Sequence, residues 1–428
     1  MAYSPKYRPR ATNARRQSTQ QNIALFLRRA GRVVGLIAII WTFLEVLFVR
    51  RALSRQPEPS GYEYDLGTET ILLVGIHWNS EKILRSHWNQ AVVDTANAIS
   101  RGGGDVFVSV LGSGSSDGTE AALEQLREKL TERNVPHLIT FDETTHLDEI
   151  SKTPQEGGDW IMTKRGKLEH RRIPYLARLR NIALQPLYNE SMTDMTFDKI
   201  VFLNDVVFNA LDVANLLGTR DGNFAAACSL DFSKPPSFYD TFAFRDAESG
   251  NKLMKKWPFF RARASRQAVK ASHAVPMKSC WNGIVAMDAT PFYPDENGAA
   301  LTFRGLPASL AKSHLEASEC CLIHADNPLT ESKGVWLNPA VRVGYTGPAY
   351  EAVNPYRGAL WMSSWGIVHG AWKNRLLRWT TTQWFRDRVV NKRLAAWRRK
   401  APETNIEPGA FCVIDDMQVL TEKGWTAV

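Results

Sequence analysis

Residues 197–217, FDKIVFLNDVVFNALDVANLL, run from the apolar segment KIVFL (199–203) into Asn204 and Asp205, then turn apolar again. A short apolar run bounded by polar residues fits a strand covered on both faces of a sheet. A carboxylate at the end of such a strand stands clear of the flanking helices, at the edge where open α/β sheets bind ligands. Asp205 suits a hard divalent cation. Asn204 suits a ribose or sugar hydroxyl of a bound nucleotide, or a loop-fixing role. An Asx turn that only ends a strand uses the same two residue types.

Working outward, TILLVGI (70–76), DVFVSVL (105–111) and HLITFDE (137–143) are further strand candidates. They alternate with helical patterns over 80–99, near 117–130, and over 174–187, the last opened by Pro174. This alternation predicts an α/β fold with a mainly parallel central sheet flanked by helices. FAAACSLDF (224–232) and GIVAMD (283–288) add strand candidates. Several tryptophans, Trp336 among them, fall in sequence that reads as loop.

The N-terminal end reads differently. Lys and Arg number 53 against 44 Asp and Glu, but eight of the basic residues fall within positions 1–32. The excess belongs largely to a tail, which argues against nucleic acid as a partner. VVGLIAIIWTFLEVLFV (33–49) follows, interrupted by Glu45, at the lower length limit for a bilayer helix. The charge bias predicts a basic cytosolic tail (1–32), a transmembrane anchor (33–49) and a translocated body. A cleaved signal peptide or a helix buried against protein are the alternatives. A Pro- and Gly-containing stem (50–69) leads to a core over 70–350, and an Arg- and Trp-rich extension (351–428) is expected to pack on the core or lie near the membrane. The sequon Asn189-Glu190-Ser191 is usable only in a lumenal body. Five cysteines leave room for one or two bridges and at least one free thiol.

The loops after the first strands hold candidate nucleotide ligands: His77 in HWNSE (77–81) and Asp117 in SGSSDGT (113–119), where capping the next helix is the plainer use of Asp117. That loop is neither a Walker A motif nor GxGxxG. Arg178 and Asn181, three apart on one helix, share a face that could meet phosphate, with Arg180 turned away. Downstream lie Asp231, Asp240, Arg245 and Asp246. Trp281 and Asn282 pair an indole with an amide, suited to a pyranose. Glu319 and His324 follow, His324 being a possible second metal ligand or a histidine satisfied within the fold.

Taken in order, VSVLGSGSSDGT (108–119), RIPYLARLRN (172–181), KIVFLNDVVF (199–208), FYDTFAFRD (238–246), KSCWNGIVAMD (278–288), FRGLP (303–307), SECCLIHADN (318–327) and NPAVRVGY (338–345) resemble the fungal α-1,3-mannosyltransferase family first associated with cryptococcal capsule synthesis, glycosyltransferase family 69. The resemblance covers roughly residues 70–350. It implies a GT-A-like fold, a GDP-mannose donor, commonly Mn²⁺, a mannose-containing glycan or glycolipid acceptor, and a type II Golgi membrane protein with a lumenal body. Asp205 would occupy the acidic metal motif, although Asn204 stands where many such enzymes have a first aspartate. Asp117 would lie in the nucleotide region and Trp281–Asn282 near the sugar or acceptor, with Arg245 and Glu319 as further candidates there. An α-1,3 bond made from GDP-mannose retains configuration. A double displacement would need a carboxylate on the far face of the anomeric carbon, for which Asp231, Asp240 and Asp246 are candidates. Transfer from another nucleotide-sugar, or a scaffold that has lost chemistry, are the alternatives; the oligomeric state stays open.

Overall fold

The computed structural model describes residues 12–55, 69–154, 159–189, 192–250, 253–356, 359–382 and 384–428. The first part of the basic tail, stem residues 56–68, and sequon residues Glu190 and Ser191 lie outside the described residues. Two compact units are formed, residues 1–51 and 52–428. The first is built on the helix Thr12–Ser54, whose segment Leu25–Ser54 contains an 18-residue stretch with a mean hydropathy of 2.2 and is long and apolar enough to cross a membrane. A signal sequence meets the same criteria.

Among the described residues the second unit carries fourteen strands. In chain order they are β1 (Thr70–His77), β2 (Asp105–Ser113), β3 (His137–Asp142), β4 (Trp160–Met162), β5 (Leu168–His170), β6 (Lys199–Leu203), β7 (Ala226–Lys234), β8 (Ser237–Phe238), β9 (Arg245–Asp246), β10 (Val275–Ser279), β11 (Ile284–Asp288), β12 (Val335–Gly344), β13 (Gln418–Thr421) and β14 (Gly424–Ala427). Ten form one sheet in the order β3-β2-β1-β6-β11-β7-β12-β10-β9, with β8 on β7. The β3-β2-β1-β6 half is parallel throughout. β11 runs against both β6 and β7, which restores the common direction in β7 and its parallel partner β12. The sheet is therefore mixed but mostly one-directional, as the strand–helix alternation predicts. Trp336, in expected loop sequence, lies in β12.

Every residue of β6 is buried, which explains its unbroken apolar character. On β1, Ile71 and Leu73 face a core cluster with Trp88, Val92, Leu123, Leu126 and Leu216 from the helices Asn89–Arg101, Thr119–Glu132 and Ala210–Leu217 and the turn before the first of them. The helix Arg172–Ala183 packs against β1 and β2, and Ser109 Oγ donates to its Ala183 oxygen at 2.7 Å. Disulfides join Cys228 to Cys280 and Cys321 to Cys412, leaving Cys320 free and buried. The Arg- and Trp-rich extension includes two helices, Ser364–Thr380 and Trp384–Lys400.

Candidate active site

Beyond the carboxyl ends of β1, β2 and β6 lies a cleft of about 880 Å³. The sheet order puts the point where connections diverge at β1, between β2 and β6, which is where α/β sheets open a ligand crevice. The chain after β6 delivers Asn204 and Asp205 to this cleft. Their loop is held by backbone: Asn204 N donates to Gly283 O at 3.1 Å, Asn204 O accepts from Trp88 Nε1 at 2.9 Å, and Val207 pairs with Gly344. Gly283 has φ +79°, a conformation an L side chain rarely adopts, and a Cβ there would fall 2.2 Å from Val343 Cγ2.

Asp205 opens onto the cleft, yet protein surrounds it closely enough for desolvation to push its carboxyl up to about 6. Among the described residues no side-chain donor bonds this carboxylate. Nor do three or more His, Cys, Asp or Glu side chains gather into a metal centre. Among the described residues, Asp205 thus offers the cleft a carboxylate without a side-chain donor. That suits a hard cation which takes most of its shell from a diphosphate and water.

Asp231, Asp240 and Asp246, grouped by the sequence, have three different placements. Asp240 lines the cleft. Asp231 is fully buried behind it and accepts from Asp240 N at 3.2 Å, Asn282 Nδ2 at 3.0 Å and Tyr345 Oη at 3.1 Å. Burial first, then the neighbouring Asp240 carboxylate, pushes Asp231 up to about 7. Asp246 does not line the cleft: its carboxylate accepts from Ala262 N at 2.8 Å, Gly250 N at 2.9 Å and Glu248 N at 3.1 Å, which makes it a loop organiser.

Several expected ligands are corrected in the same way. His324 is fully buried, its Nε2 donates to Cys280 O at 2.8 Å, and burial lowers its pKa to about 4; it is a packing residue and not a partner of Asp205 in the cleft. His77 is sealed edge-on against Trp88, with burial lowering its pKa to about 3. Asp117 ties two loops together by accepting from Thr119 N at 3.0 Å and Glu81 N at 3.2 Å. Arg178 pairs with Glu149 and Asn181 bonds both main-chain groups of Phe303; both line a separate pocket of about 480 Å³. Arg178 and Asn181 do share a helix face, but it turns away from the cleft. Arg172, Tyr175, Leu176, Leu179 and Arg180, spaced three or four apart or adjacent, form the face that lines it.

Of the expected sugar-binding residues, Trp281 and Glu319 line the cleft but are engaged from within. The Arg180 guanidinium lies 4.6 Å from the Trp281 ring centroid and its Nε donates to Glu319 at 3.1 Å. Phe303 packs edge-on against the same indole, so Trp281 is flooring more than an open stacking face. Asn282 is buried and bridges Asp231 to the main-chain oxygen of Asp240. Arg245, at the cleft's margin, directs its guanidinium to the carbonyls of Phe242, Phe244, Phe411 and Cys412 and so braces the chain's last segment.

That segment was not anticipated. Asp416, Gln418, Leu420, Gly424 and Trp425, on and before the β13–β14 hairpin, line the cleft beside the helix Arg172–Ala183. Trp78, stacked on His146 at 4.5 Å, lines it from the loop after β1. The helix-face spacing from Arg172 to Arg180 was a signal available in the sequence; the hairpin's return was not.

Fold and cleft together define an α/β protein with an acid- and arginine-lined crevice at the carboxyl edge of its sheet. The chain belongs to the family described as cryptococcal mannosyltransferase 1, which its residues 70–326 match. It is 30% identical over 254 residues to the α-1,3-mannosyltransferase CMT1 of Cryptococcus neoformans var. neoformans serotype D, a stretch covering 56% of this chain and 50% of that protein. The chain thus matches about half the length of that relative. Among solved structures it is similar to the mannosyltransferase PcManGT from Pyrobaculum calidifontis, in complex with GDP-Man and Mn²⁺, at 13% identity over 88% of each chain with a TM-score of 0.32. GalNAc-T7 with UDP, GalNAc and Mn²⁺ is similar at 12% identity over 65% of this chain and 43% of that one, with a TM-score of 0.33.

Proposed function

We propose that this protein is a retaining α-1,3-mannosyltransferase that moves mannose from GDP-mannose to a mannose-containing glycan or glycolipid. Family membership and the relative's name support mannosyl transfer. The observation that carries the reading is the meeting of Asp205, Asp240, Arg172 and Arg180 in one cleft at the sheet's carboxyl edge. The apolar helix within residues 25–54 would anchor it as a single-pass type II Golgi protein with a lumenal body, and two disulfides suit an oxidising compartment.

Asp205 would hold a divalent cation, Mn²⁺ in this reading, which when bound compensates charge on the departing nucleoside diphosphate. The chain's own residues supply the remainder. Arg172 sets a positive charge on the cleft wall, where it opposes the charge that develops on the leaving group. Arg180, bound to Glu319, fixes the floor. Of the three grouped aspartates Asp240 is the one that lines the cleft, held from behind by Asp231 and Asn282, and in this reading it would face the anomeric carbon. It would serve a double displacement; an acceptor 3-hydroxyl attacking from the side of the departing diphosphate would not require it.

The test uses the full chain in detergent, GDP-mannose, oligomannose acceptors, and Mn²⁺ or a chelator. Sugar transfer with Mn²⁺, its loss on chelation, and a fall of about 100-fold or more in kcat/KM for a folded Asp205→Ala protein are expected. Full transfer by that variant with chelator present would overturn the metal assignment. Turnover of a UDP-sugar in place of GDP-mannose would overturn the donor.

A further inference from the structure

Arg172 is held unlike its neighbours in the chain. Arg171 makes a two-point ion pair with Glu316, and Arg180 bonds Glu319. Among the described residues Arg172 has no carboxylate within ion-pair distance. Its Nη1 donates to the neutral Gln418 Oε1 at 2.7 Å, and its guanidinium lies 4.7 Å from the Trp425 ring centroid. Both partners belong to the β13–β14 hairpin. An amide oxygen and an indole face can hold a guanidinium in place without neutralising it. Desolvation lowers its pKa, against the carboxylates of Glu319 and Asp240, which favour its charge from beyond ion-pair distance. A partly buried cation fixed in this way, on the wall of a cleft that also carries Asp205, is placed to receive an anion.

The hairpin that positions it is itself anchored. Cys412 is bridged to Cys321, next to the cleft residues Glu319 and Cys320. Ile414 pairs with Glu316 in both directions, at 2.8 and 3.0 Å, and Val419 bridges to Arg171. The whole of this segment lies beyond residues 70–326, the part that matches the family.

We propose that the C-terminal hairpin is part of the donor site: through Gln418 and Trp425 it holds the Arg172 guanidinium over the cleft as the cation that receives the diphosphate of a nucleoside-diphosphate sugar. This rests on the glycosyltransferase reading of the cleft. Gln418 and Trp425 are positioning residues, and Arg172 is the group that meets the ligand.

The experiment is calorimetric titration of the full chain in detergent with GDP and with guanosine, alongside donor kinetics. Gln418→Ala and Trp425→Leu are expected to weaken GDP binding about tenfold and raise the KM for the nucleotide-sugar with little change in kcat, leaving guanosine affinity where it was. Trp425→Phe, which keeps an aromatic face, recovers most of the GDP affinity. In an Arg172→Ala background, Gln418→Ala adds no further loss, whereas independent roles would add. Unchanged GDP affinity in folded Gln418→Ala and Trp425→Leu proteins, with wild type binding GDP, overturns the inference alone. Equal loss for GDP and guanosine also overturns it, since a general collapse of the cleft produces that result. If wild type binds UDP and not GDP, the donor reading fails and the same variants are compared with UDP and uridine. If it binds neither, both fall.

Discussion

Asn282 joins two carboxylate-bearing segments with one amide: its Nδ2 donates to Asp231 Oδ1 at 3.0 Å and to the main-chain oxygen of Asp240 at 2.7 Å. Truncating it leaves a fully buried aspartate and a carbonyl short of a donor. Loss of a buried partner costs about 1–3 kcal/mol. Asn282→Ala is therefore expected to lower the urea midpoint and to reduce transfer more than a surface substitution of equal destabilisation, which denaturation and initial rates together would show.

The Asp231 carboxyl gives a pH dependence of known sign. Its pKa rises from 3.8 to about 7 on folding, so the native state takes up a proton that the unfolded chain has released. That contribution to stability is complete below pH 4 and is lost as pH rises through 7. Wild type should lose urea resistance between pH 5 and 8, and Asp231→Asn should flatten that decline. An equally steep decline in the variant would place its origin elsewhere.

Arg171 and Glu316 form a pair with both guanidinium contacts, at 3.0 and 2.8 Å, and both side chains are buried. Removing one partner strands the other charge away from water, a loss of about 3–5 kcal/mol. Glu316→Ala should lower the melting temperature by several degrees, whereas a double replacement by apolar residues of similar volume should restore much of it.

Gly283 supports the loop that carries Asp205, through its carbonyl's bond to Asn204 N. With φ +79° and Val343 Cγ2 where a Cβ would go, Gly283→Ala combines backbone strain with a clash. A cost of about 1–3 kcal/mol from the backbone alone is expected. The sharper result would be reduced affinity for the divalent ion in the presence of GDP, measured by titration.

The sheet was legible in the sequence because buried parallel strands advertise themselves as short β-branched runs. KIVFL is strand β6 to the residue, and TILLVGI and DVFVSVL lie within β1 and β2. Asp205 was legible as a cleft residue for the same reason, since a strand's end fixes where the next side chains emerge. His324 and Asp246 were not, because whether a polar side chain faces a ligand or its own backbone depends on partners distant in sequence, such as Cys280 O and Ala262 N. The choice between Arg178 and Arg180 turned on which face of one helix packs inward. Both residues fit a solvated pattern, and only the position of Phe303, Trp281 and Glu319 decides it. Trp425 and Gln418 carried no signal, since a hairpin's docking place is set by tertiary pairing that periodicity does not encode.

The downstream position of that hairpin bears on how the molecule is made. A nascent chain emerging N-terminus first has β1, β2 and β6 available for pairing long before the ribosome reaches Trp425. The wall of the crevice that carries Gln418 and Trp425 is therefore the last to be added, and the Cys321–Cys412 bridge can close only after Cys412 has emerged.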